Sequence, residues 1–171
     1  ARDGVVTFGS AYVCRQIAER AAADANLPLT RLPMIPYFQL GAQLDRFLGC
    51  MAISADIEIP VGRRGELHQM AARDVPMRPG LEPMAKLFEA AGAGCCPIAD
   101  AMDDLQALGF RDGETVLTFR TYGELVDKLQ AALCSPGDLR TMGGAAAKLV
   151  HVEHTWAHRA VTLREILLRR L

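Results

Sequence analysis

No stretch of this sequence approaches the roughly 18 consecutive apolar residues that a membrane-spanning helix needs. Cysteine gives no framework either. The five cysteines are odd in number, include the adjacent pair Cys95 and Cys96, and show no C-x-x-C spacing. A disulfide scaffold and a structural zinc site are thereby disfavoured, and a reducing compartment is the simpler reading. Excess charge of one sign is also missing. Lys and Arg number 19 against 20 Asp and Glu, a formal net charge of −1, so nothing draws the chain as a whole to nucleic acid. There is no internal repeat, no low-complexity tract, and no signal-peptide pattern in Ala1-Arg2-Asp3-Gly4. These absences predict a cytoplasmic protein with no transmembrane segment and no nucleic-acid partner.

What is present is core-forming material. Half of the 171 residues are hydrophobic, enough for one domain that buries roughly two thirds of its unfolded surface. Gly4-Val-Val-Thr-Phe-Gly9 reads as a buried strand bounded by glycines, and Ala11 to Asn26 as a helix stopped by Pro28. Leu29 to Pro36 holds two prolines and suits a sheet edge. A helix over Gln39 to Gly49 is followed by alternation at Ile53, Ala55, Ile57 and Ile59, which predicts a strand from Met51 to Ile59. Residues 60 to 80 have no clean period and carry Gly62, Gly65, Pro76, Pro79 and Gly80, the signature of a functional loop.

A helix from Pro83 to Ala91, a strand from Cys95 to Ala99, a short helix capped by Asp103 and a strand from Thr115 to Phe119 come next. Thr121-x-x-Glu124 is a capping box, Ser135-Pro136 opens another helix, and Thr155 to Leu171 closes the chain with Trp156, Ala160, Leu163, Ile166 and Leu167 on one face. Strands alternating with helices imply an α/β fold with a parallel sheet covered on both faces. In such sheets ligands bind beyond the carboxyl ends of the strands, which directs attention to the loops after Gly9, Ile59 and Ala99.

The helix from Pro83 divides into two faces. Met84, Leu87, Phe88 and Ala91 recur as a core stripe, and Glu82, Lys86 and Glu89 fall on the opposite, solvated side. Glycines follow at 92 and 94, where a helix exit and close backbone approach are needed. The segment Arg78-Pro-Gly80-Leu81-Glu82 lies at the amino end of this helix, where free N–H groups favour a pyrophosphate. Arg15, beyond Gly9-Ser10, is a second candidate for meeting phosphate. The histidines at 151, 154 and 158 lack the H-E-x-x-H order of a zinc site and suit capping or packing. Cys95 and Cys96, in an apolar run, read as small hydrophobes.

Glu89-Ala-Ala-Gly-Ala-Gly94-Cys-Cys-Pro-Ile98 resembles the Glu-Ala-x-Ala-x-Gly-x-Pro-x-Ile segment of B-type glycosyltransferases, and Lys86-Leu-Phe-Glu89 resembles the Arg-x-Phe-Glu of their CgeB-like branch. Phe110-x-x-Gly113-Glu114, Leu133-x-Ser-Pro136 and His154-Thr-Trp-x-His-Arg159 follow in the order and spacing of that family. Two departures stand out: Leu81 occupies the place of a second Glu, with Glu82 one step out of register, and Pro97 falls one place late.

The resemblance implies a single Rossmann-like domain over residues 1–171, one half of a GT-B fold, that binds the nucleotide diphosphate sugar donor. It implies Glu89 as the ribose ligand, with Lys86, Arg15, Gly9, Ser10, Arg78, Gly80 and Leu81 around the diphosphate. No metal or other cofactor is then needed. The acceptor site and general base would belong to a missing N-terminal domain or partner chain. A domain that binds nucleotide without chemistry, and a nucleotide-sugar epimerase, are the alternatives.

Overall fold

A computed structural model describes residues 4–9, 12–59 and 65–169. Five strands form a parallel sheet: β1 (Val5–Thr7), β2 (Leu29–Arg31), β3 (Gly49–Met51), β6 (Cys96–Asp100) and β7 (Leu117–Phe119), in the order β2-β1-β3-β6-β7. The sheet is Rossmann-like, and β2 lies at the edge where its flanking prolines are tolerated. Chain order reverses between β1 and β3, which opens a crevice at their carboxyl ends.

One face is covered by α1 (Val13–Asp24) and α5 (Tyr122–Cys134), which pack Ile17, Leu125 and Leu129 against Val5, Met51 and Ile98. The other is covered by α2 (Tyr37–Leu44) and α3 (Ala85–Gly92), with Leu44 near Val6 and Cys50, and Leu87 near Ala52 and Ala99. Helix α6 (Pro136–Glu153) serves both faces: Leu139 and Met142 join the first core, Ala146 and Val150 the second. It crosses at Gly143, where a Cβ would land inside contact distance of the Gly94 carbonyl and 2.9 Å from the Cys96 nitrogen. Only glycine fits there.

The expected strand from Met51 to Ile59 is corrected. The sheet strand ends at Met51, and Asp56–Ile57 forms a separate β4 paired antiparallel with β5 (Met77–Arg78). The alternation of Ile53, Ala55 and Ile57 arises because all three are buried in the first core, the first two from irregular backbone and Ile57 from β4. A short 3₁₀ turn at Ala72–Asp74 lies inside the predicted loop, and Arg20 of α1 donates to the Leu67 and Met70 carbonyls to hold it. Asp103 does not cap α4 (Asp103–Ala107); Met102 occupies the cap position without a side-chain bond. Thr121 does cap α5, accepting from Glu124 N, while the Glu124 carboxylate reaches Arg120 N instead of completing the box.

The final helix, α7 (Trp156–Leu168), leaves its apolar face uncovered among the described residues. It has no buried residue: Trp156 is 82% exposed and Leu163 57%. Thr155 and His158 form its capping box.

Candidate functional site

The carboxyl end of β1 is where the charged candidates gather. Gly9 takes φ +86°, and this left-handed turn leads the chain away from β1 towards α1. Arg15 is nearly fully buried, and its Nη1 donates to the carbonyls of Phe8 at 2.7 Å and Gly9 at 2.6 Å. Its Nε lies 3.2 Å from Glu19, an ion pair one helical turn along, and Nη2 is buried with no hydrogen-bond partner among the described residues.

Lys86, from the first turn of α3, donates to the same Phe8 carbonyl at 2.7 Å, and its Nζ stands 4.9 Å above the Phe8 ring. The solvated face expected for Lys86 is therefore wrong. Its aliphatic stem buries and delivers the ammonium to the strand end. Burial pulls the pKa of both cations down; Glu19 opposes the shift at Arg15, while the nearby Arg15 charge adds to it at Lys86. Two buried cations thus converge on one carbonyl at the switch point of the sheet; the half-buried Glu19, which also faces Arg31 at 3.5 Å, pairs with Arg15, and Glu89 acts on Lys86 from the next turn of α3.

Two cavities lie on either side of the start of α3. The first, about 580 Å³, is lined by Tyr12, Cys14, Ser54, Asp56, Glu82 and Met84, with Arg78, Gly80 and Leu81 also on its wall. Its frame is Asp100, fully buried at the end of β6, whose carboxylate accepts from Ser54 N at 2.7 Å and Gly80 N at 2.6 Å. Gly80 must be glycine, because a Cβ would collide with the Ser54 side chain and backbone. The expected phosphate cradle at 78–82 needs correction. Helix α3 begins only at Ala85, and the Gly80 amide is already spent on Asp100. Arg78 is exposed and faces Asp56 at 3.8 Å, and Leu81 is 91% exposed.

The second cavity, about 870 Å³, lies between α2, α3 and the α6–α7 corner, and Glu89 belongs to it. Glu89 is half-buried. Desolvation raises its pKa above the ordinary carboxylate value, while Lys86 and a hydrogen bond from Tyr37 pull the other way. Phe88 packs edge-on against Phe110 and His154. His154 bonds the Leu108 carbonyl through Nε2 and accepts from Arg159 Nη2 at 2.9 Å through Nδ1, which fixes it as the neutral Nε2–H tautomer. Its predicted packing role is what the geometry shows.

The structure thus brings Gly9, Arg15 and Lys86 together, puts Arg78, Gly80 and Leu81 on one cavity and Glu89 on the other. Ser10 lies outside the described residues. Sequence reasoning missed Asp100 and Tyr37. An Asp closing the apolar run Cys95–Ala99 was the available signal for the first; the second had none.

These features can be set beside known proteins. Sucrose-phosphate synthase from Thermosynechococcus elongatus superposes with a TM-score of 0.65 at 18% identity, over 98% of this chain and 45% of that one. The chain therefore spans less than half the length of that synthase, and the likeness is one of fold: this sheet is built like a domain of a GT-B glycosyltransferase. No curated protein matches the sequence. Residues 69–165, more than half of the chain and including α3, β6 and the His154 corner, match the glycosyl transferase-like family. The chain belongs to that family.

Proposed function

We propose that the chain is the donor-binding half of a glycosyltransferase of the CgeB-like branch, acting in the cytoplasm on a nucleotide diphosphate sugar. The observation that carries the reading is the convergence of the buried cations Arg15 and Lys86 at the β1–β3 crevice. Burying cations is costly, and an anionic ligand beside them offsets the cost. Lys86 and Glu89 are one turn apart on α3, a rise of about 4.5 Å, which suits the step from a phosphate to the hydroxyls of its ribose. Glu89, as a carboxylate, accepts from both hydroxyls.

In the transfer, the bond from the anomeric carbon to the diphosphate oxygen breaks, and one forms to an acceptor oxygen. The electron pair leaves with the diphosphate, whose growing charge the two cations stabilise. The general base and acceptor groove are assigned to a second domain or partner chain. No residue of this chain is assigned a proton transfer.

Calorimetry tests the reading. The chain should bind nucleoside diphosphates more tightly than the matching monophosphates, and equal affinities would remove the diphosphate assignment. Glu89→Gln should lower diphosphate affinity about tenfold to a hundredfold, since hydrogen bonds to a charged group contribute about 1.5–3 kcal/mol. Glu82→Gln, on the first cavity, is the control. Unchanged affinity in Glu89→Gln would show that the carboxylate merely lines a wall.

A further inference from the structure

Phe8, the residue that follows β1, meets Arg15 and Lys86 with its main chain and Lys86 again with its ring. Its carbonyl accepts from Arg15 Nη1 and from Lys86 Nζ, each at 2.7 Å. A carbonyl oxygen offers two lone pairs, so these two donors fill it. The ring lies 4.9 Å from the same ammonium, measured to its centre. It is itself held in place, buried with Leu40, Leu44, Phe47 and Cys50 between the sheet and α2.

Gly9 leaves the space beside the two positive heads unfilled. A Cβ at this position would have Lys86 Nζ at 3.4 Å, Lys86 Cε at 3.6 Å and Arg15 Nη1 at 3.8 Å as its nearest neighbours. Both cations therefore border one space, and an ammonium carries three N–H donors, of which Lys86 gives one to Phe8. The groups that act on Lys86 by charge are Arg15 and Cys14 from α1, Cys50 from β3 and Glu89 from α3 itself. Desolvation lowers the pKa of Lys86, Cys50 and Glu89 oppose this, and Arg15 adds to it. An aromatic face beside the ammonium favours its charged form.

We infer that Phe8 is a positioning residue for the diphosphate: its carbonyl gathers the two cations, and its ring holds the Lys86 ammonium beside the space at Gly9. The ligand named here rests on the nucleotide reading above. The hold of the ring on the ammonium stands apart from it and is tested without any ligand.

The chain has three lysines, at 86, 128 and 148, so lysine labelled with carbon-13 at Cε gives three signals to follow by NMR as pH rises. In Phe8→Leu, which keeps an apolar core side chain and removes the ring, the Lys86 midpoint should move to lower pH, by about one pH unit. Phe8→Tyr, which restores an aromatic face, should return it towards the parent. Phe47→Leu takes a ring from the same core but not from beside the ammonium, and should leave the midpoint where it was. An unmoved midpoint in Phe8→Leu, or an equal movement in Phe47→Leu, would show that the ring only fills the core, which overturns the inference.

Calorimetry then ties the residue to the ligand. The preference for UDP over UMP should be about threefold to tenfold smaller in Phe8→Leu than in the parent chain. A ring needed only for packing would weaken both nucleotides together and leave their ratio intact, which overturns the positioning role even if the midpoint moves. A parent chain that binds neither nucleotide removes the nucleotide reading and the diphosphate with it, while the lysine titration still decides whether Phe8 holds Lys86.

Discussion

The two cavities flank the start of α3, yet different forces hold them in shape. Beside β3, the frame is main chain: a buried carboxylate grips the Ser54 and Gly80 amides across a long excursion of the chain. Beside α2, the frame is side chains, and one wall is the first turn of a helix with no buried residue. The difference teaches where stability and recognition reside. Backbone amides pinned by a fully buried acid cannot shift without exposing unpaired polar groups. Aromatic rings and an arginine on an unpacked helix can adjust to what enters.

Removing the pin should have the largest effect. Asp100→Ala leaves two part-buried amides without acceptors, so unfolding free energy should fall by about 3 kcal/mol in urea titration. A loss below about 1 kcal/mol would mean that the loop finds other partners and that the contrast between the cavities is smaller than the geometry implies.

The pH dependence sharpens the other side. Glu89 has a raised pKa because burial disfavours its charge. Between the ordinary value of 4.5 and that higher one the folded chain binds the extra proton, so the contribution of Glu89 to stability falls as pH rises through this window. Nucleotide affinity should run the opposite way. It should weaken as pH falls through the raised value, because the ribose-accepting carboxylate is lost, and calorimetry between pH 4 and 7 should find this inflection above about 4.5 in the parent. Glu89→Gln should lack the inflection. An unaltered profile in that variant would assign the titration to another group.

The smallest effect is expected at the helix wall. Trp156→Ala should change unfolding free energy by less than about 0.5 kcal/mol, since its ring is mostly in water. A thermal melt showing a larger loss would mean that α7 contributes to the core after all, and would make the two cavities alike.

Much of the sheet was legible because its strands are short apolar runs between glycines and prolines. Val5–Thr7, Cys96–Asp100 and Leu117–Phe119 all fall on or within a residue of the expected segments, and the edge position of β2 follows from its prolines. The segment after Met51 misled because alternation reports burial and not backbone pairing. Ser54 N is taken by Asp100, and the core accepts Ile53 and Ile57 without a neighbouring strand of the main sheet. Lys86 misled for a related reason: helical spacing assigned it a face, but a four-carbon stem can cross that face to reach a carbonyl. For α7 the periodicity was real and the partner was not within the described residues. Of the candidate site, the helical placement of Glu89 was legible, and the structure sets it on α3 at a cavity wall. The convergence of Arg15 with Lys86 was not, because the two are 71 positions apart and meet only through β1.

The crossing of α6 at Gly143 bears on the order in which the molecule can be made. Residues 139–142 complete one face of the sheet and residues 146–150 the other. A chain emerging from the ribosome therefore carries five formed or nascent strands, covered by α1, α2, α3 and α5, with part of each face still wet until this single rod arrives. Synthesis adds about 5–20 residues per second, so the interval between the end of β7 and the end of α6 lasts seconds. During it, the small-residue seam at Gly94 and Gly143 stands open. A side chain at Gly143 would then act first on the nascent protein, by delaying the step that seals both faces at once.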